Sequence, residues 1–141
     1  MAFLNELNTV RHNAIARYAK EFEYDLISML NTHVHAKSVT ARRALLSQAS
    51  IATRRFYHEL ELPIGDLARR HRVFLLWNYH DPEASVHQDE CIKDYFENSP
   101  LVHQTADALK EYFSGLKVFV DVRYNCLNPD DRNYVKFCVS S

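Results

Sequence analysis

The stretch HDPEASVHQDEC, His80 to Cys91, gathers two histidines, four carboxylates and a cysteine into twelve residues. Imidazole, carboxylate and thiolate are all competent zinc ligands, and a zinc ion with an open position would supply a hydrolytic water. On a helix starting at Pro82, Glu83, His87 and Cys91 fall at four-residue steps along one face, with His80 just ahead of the cap. That set is the candidate centre of a metal-dependent hydrolase. One helix face, however, presents at most two good ligands at once, and no HExxH pattern accompanies it. The same residues also read as helix punctuation. Asp81 caps, Pro82 takes the first helical position, and Glu83 meets the positive end. Asp89 and Glu90 are then solvated, and Cys91 is a small apolar core residue. The expectation is no bound metal and no cofactor.

Other chemistry is thin. Two glycines in 141 residues leave no glycine-rich phosphate loop. A GxSxG elbow is missing, and Cys126 and Cys138 lie in a β-patterned region with no histidine nearby in sequence. His103-Gln104-Thr105 is a lone HxT triplet, where paired-triplet phosphoester chemistry needs two. His33 and His35 alternate in THVH and read as loop histidines. No small-molecule substrate is evident.

The charges are more informative. Residues 1–73 carry 11 basic against 7 acidic side chains, a balance of +4, and residues 74–141 carry 6 against 11, a balance of −5. The arginines are grouped as Arg42-Arg43, Arg54-Arg55 and Arg69-Arg70-His71-Arg72. On one continuous helix Arg43 and Arg54 would be three turns apart and share a face. Arginine's planar fork suits carboxylate or phosphate. With Tyr57, these seven arginines form the candidate partner-binding set. The leading expectation is a non-catalytic protein-interaction module, an accessory subunit, inhibitor or adaptor, that binds another protein or itself. Nucleic-acid binding through the basic segment 37–72 is the alternative. A sequence pI near 6.7 and the absence of zinc-finger spacing weigh against it.

The elements that must hold these residues follow from periodicity. Leu4, Leu7, Ala14, Ile15, Tyr18, Phe22, Leu26 and Met29 recur at mostly helical steps from Phe3 to about Asn31. After a polar break, Leu45, Ala49, Ala52, Phe56 and Leu60 predict a second helix running to about Leu62 and ended by Pro63. Residues 1–62 would then be an antiparallel helical hairpin. Helices follow over 63–115, one taking in Val73–Tyr79 and another entered at Ser99-Pro100 and closed at Gly115. From Lys117 the period becomes two, and residues 116–141 predict a β-hairpin. The fold class is α+β, predominantly helical, with four to five helices in a single domain.

Hydrophobic residues at 47% and charged residues at 25% argue for a globular core and against disorder. Three cysteines without CxxC spacing read as free thiols in a reducing compartment. Neither a membrane-spanning run nor a signal-peptide pattern is visible, so the expected location is cytoplasmic.

Overall fold

A computed structural model of the chain describes residues 2–77 and 87–141. Helix α1 (Ala2–Leu30) passes into a π-helical turn (Asn31–His35) and then α2 (Ser38–Ser50). Strand β1 (Tyr57–Pro63), α3 (Gly65–Arg70), α4 (Arg72–Trp77), α5 (Gln88–Glu97) and α6 (Pro100–Tyr112) follow. Strands β2 (Lys117–Arg123) and β3 (Tyr134–Ser140), with a short 3-10 turn (Asp130–Arg132) between them, complete the described elements. The α+β expectation holds, with a C-terminal β2–β3 pair that is antiparallel. A third strand, β1, adds to the far side of β3, giving the order β1-β3-β2.

That third strand corrects the expected second helix. The chain leaves α2 after Ser50 because Ala52 adopts the left-handed region at φ 58°. Its N–H bonds the Ala49 carbonyl, and the Thr53 N–H bonds the Gln48 carbonyl, at 3.0 and 3.1 Å. These are the two bonds of a Schellman stop, here without the usual glycine. Beyond it, His58-Glu59-Leu60-Glu61-Leu62 alternates with period two, burying Leu60 and Leu62 and leaving Glu61 out.

The helical hairpin expected for residues 1–62 is therefore not formed, and α1 and α2 share no extended packed seam. Instead α2 lies against β1. The expected polar break is helical as well. Ala36 N–H reaches back five residues to the Asn31 carbonyl at 2.8 Å, and Val34 is fully buried.

Of the expected helical run Val73–Tyr79, Val73–Trp77 is helical and residues 78–79 lie outside the described residues; His71 divides the segment into two short helices. Ser99 accepts a bond from the Val102 N–H, with Pro100 at the first helical position. Gly115 closes that end at φ +92°.

The inner face of the sheet, Leu60, Leu62, Val118, Val122, Val135, Phe137 and Val139, packs into one core with the helices. Phe22 centres an aromatic cluster, with Phe74, Tyr95 and Phe96 rings 5.2–6.1 Å away. Such ring pairs add to the stabilisation from burial itself. Residues 2–13 of α1 project beyond this core and are exposed throughout. Among the described residues, no helix is long and apolar enough to cross a membrane.

Candidate functional site

The seven arginines divide by what surrounds them. Arg69, on α3, makes a bidentate pair with Asp130 on the turn before β3, its second nitrogen 2.8 Å from Oδ2. Close approach makes this possible: a side-chain carbon on Gly65 would lie 2.9 Å from the Asp130 Cα. The guanidinium of Arg69 holds the Asp130 carboxyl below its ordinary range, since the bond favours the charged form.

Arg70 donates from Nε to Asp66 at 2.8 Å and from Nη1 to Asp25 at 2.9 Å, tying α3 to α1. His71 Nε2 meets the same Asp25 oxygen at 2.6 Å. These two arginines, about half exposed, are thus paired with carboxylates of the chain's own fold. Arg72 is exposed and makes no ion pair among the described residues.

The other four lie on the unit formed by α2 and the turn that leads to β1. Arg42 and Arg43 are on the exposed side of α2, and Arg54 and Arg55 follow the Schellman stop. Because the helix ends at Ser50, Arg43 and Arg54 do not stack three turns apart as expected. The doubling back of the chain still keeps them on one structural unit. Gln48 fixes that return by donating to the Tyr57 carbonyl at 2.6 Å and accepting from the Tyr57 N–H at 3.0 Å.

Among the described residues, no carboxylate pairs with Arg42, Arg43, Arg54 or Arg55. Composition explains this, since residues 37–58 contain five Lys and Arg and no Asp or Glu. The nearest carboxylates in sequence, Glu59 and Glu61, are spent on Lys136 at 3.1 and 3.4 Å.

Apolar side chains share the basic surface. Val39 and Leu46, 52% and 54% exposed, sit three and four residues from Arg42 and Arg43 on the same side of α2. Ile51, at the helix end, is 77% exposed. The opposite stripe, Ala41 and Leu45, is buried against the body. Periodicity of the exposed positions could have shown this face, had the helix end been known.

Tyr57 opens β1 and is 42% exposed. Its hydroxyl donates to Glu59 on the outer face of the sheet, with Cys138 Sγ 3.5 Å away. That bond raises the phenol and lowers the Glu59 carboxyl. Lys136, although partly desolvated, is held charged above its usual range by the bond to Glu59.

Of the metal candidates, His80 and Glu83 lie outside the described residues, as does the expected helix entry at Asp81-Pro82-Glu83. His87 occupies the N-cap of α5 at φ −109°, and Cys91 is 1% exposed one turn on. The proposed four-residue stack is thus broken at its middle member, because His87 is not within the helix. Asp89, expected to be solvated, accepts from the Cys126 N–H at 3.2 Å.

Elsewhere, His103 Nε2 lies 2.7 Å from the Glu97 carbonyl and Thr105 bonds the Leu101 carbonyl, so both close helix backbone. His33 is in the π-helical turn rather than an extended loop, its imidazole lowered by burial and then by Lys37. Among the described residues no three His, Cys, Asp or Glu side chains converge as a metal set. Comparison with family models, curated proteins and solved structures finds no match for this chain.

Proposed function

We propose that the chain is a non-catalytic protein-interaction module, acting as an accessory subunit, inhibitor or adaptor. It engages an acidic protein partner through α2 and the turn to β1. The observation that carries this reading is the mixed face of Val39, Arg42, Arg43, Leu46 and Ile51, continued by Arg54 and Arg55. Arginine with exposed aliphatic groups is the composition of a protein-binding surface: the forks orient the partner while the apolar patch excludes water. A phosphate backbone would use the arginines alone and gain little from Leu46 or Ile51, which favours protein over nucleic acid.

Capture from native lysate after nuclease treatment tests it. A protein retained by the wild type and lost with Leu46→Asp/Ile51→Asp is the expected result. Capture that nuclease abolishes, with gel-shift affinity falling steeply as salt rises, would assign the surface to nucleic acid instead.

A further inference from the structure

The two edges of the sheet are finished differently. Ser141 N–H bonds the Phe56 carbonyl and Ile64 N–H bonds the Asn133 carbonyl, so the odd-numbered residues of β3 face β1. In an antiparallel ladder the direction alternates, and the even-numbered residues of β3 face β2. Their partners there are Lys117, Phe119, Asp121 and Arg123. By the same alternation Tyr57, Glu59 and Glu61 turn their backbone groups outward from β1, and Val118, Val120 and Val122 turn theirs outward from β2.

The β1 edge is blunted. Gln48 closes both backbone groups of Tyr57, and Pro63 has no N–H to offer. Among the described residues, the β2 edge carries no proline and no side-chain bond of that kind, although Val118 and Val122 are themselves buried. Among the described residues nothing bonds the outward groups of Val118, Val120 or Val122. Beside them Phe119 stands 57% exposed on the outer face of the sheet.

We propose that β2 is a self-association strand whose partner is β2 of a second copy, antiparallel about a twofold axis at Phe119. The sequence KVFVD, Lys117 to Asp121, is complementary to its own reverse. Phe119 meets Phe119, Lys117 meets Asp121 twice, and Val118 meets Val120 twice. Parity agrees. Val118 and Val120 are the residues with outward N–H and C=O groups, so they exchange four backbone hydrogen bonds across the axis. Phe119 falls in the non-hydrogen-bonded pair, where opposed side chains come closest.

Sliding the register by two residues one way puts Lys117 against Arg123, a like-charge pair. Sliding it the other way puts Phe119 against Lys117 and leaves Asp121 opposite Gly115. Charge thus selects one register. Among the described residues, Asp121 has only an exposed same-strand contact of 3.6 Å with Arg123 to lose. The product is a continuous six-stranded sheet. A single seven-residue edge buries less than a standard stable interface, so the association is a concentration-dependent equilibrium.

Sedimentation equilibrium of the full chain, up to about 1 mM, tests the proposal. The wild type should show monomer and dimer. Asp121→Lys should raise the dimer dissociation constant about tenfold, and the double swap Lys117→Asp/Asp121→Lys should restore it. Lys117→Asp takes the place of Asp121→Lys if that variant lacks the native circular dichroism spectrum. In a Cys126→Ser/Cys138→Ser background, Phe119→Cys should form a disulfide-linked dimer, because the paired Cα atoms lie within bridging distance. A wild type monomeric throughout overturns the proposal. So does a dimer indifferent to Asp121→Lys or not rescued by the swap, or a Phe119→Cys chain that does not crosslink. The α2 face takes no part, and Leu46→Asp/Ile51→Asp should dimerise like the wild type.

Discussion

Arg69 and Arg70 sit in the same half of the chain as Arg42, Arg43, Arg54 and Arg55, and from sequence the groups look equivalent. In the fold they are opposites. The first pair clamps α3 to α1 through Asp25 and to the turn before β3 through Asp130. The second group stands on α2 and its following turn with no described carboxylate in contact. The difference teaches that a cation is engaged where a carboxylate lies at helical spacing or is brought to it by the fold, as Asp66, Asp25 and Asp130 are. Asp66, four residues from Arg70, seeds one network, whereas a stretch without a single acidic side chain leaves its cations to solvent or to a partner.

The comparison can be broken hardest at Gly65. Gly65→Ala drives a methyl group into the Asp130 backbone, and overpacking of that kind costs about 2 kcal/mol. Urea unfolding should show the loss, and NMR should show Asp130 released from Arg69. Arg70→Ala removes the donors to Asp25 and Asp66. The arrangement is half exposed, so the loss should be only about 1 kcal/mol, read as a lower urea midpoint with an unchanged slope.

Ala52→Gly sharpens the other side. The left-handed φ that Ala52 holds is strained for any residue with a Cβ. Glycine there should stabilise the chain by about 0.5–1 kcal/mol, visible as a higher melting temperature, while the four free arginines remain in place.

The smallest effect is in acid. The folded Asp130 carboxyl titrates below its unfolded value of about 3.9, so its contribution is fully present above that pH and is lost as pH falls through the folded pKa. Carboxyl NMR titration should find it low in the wild type and back in the ordinary range in Arg69→Met. Between about pH 4 and pH 2 the stability profile of that variant should be shallower.

How far the sequence could be read divides along the same line. Local signals held: Ser99-Pro100 opened α6, Gly115 closed it, and the alternation of Val118, Val120 and Val122 marked β2. Strand β1 was missed because Leu45, Ala49, Phe56 and Leu60 fall at helical spacing, while the actual stop is an alanine in a glycine conformation. Nothing in the residue type of Ala52 announces that. The partner of Arg69 is 61 residues away, and only tertiary structure joins them. The free group was legible as a cluster, but not as a surface, because Val39 and Leu46 gained meaning only once α2 was seen to bury the opposite stripe.

The most direct test sets two variants side by side in one capture from nuclease-treated lysate, with melting curves for each. One is Arg42→Glu/Arg43→Glu/Arg54→Glu/Arg55→Glu, and the other is Arg69→Gln/Arg70→Gln. The first should lose the acidic partner and melt like the wild type, and the second should keep the partner and melt lower. A first variant that still retains the partner, or a second that alone loses it at a temperature where it is folded, would contradict the account.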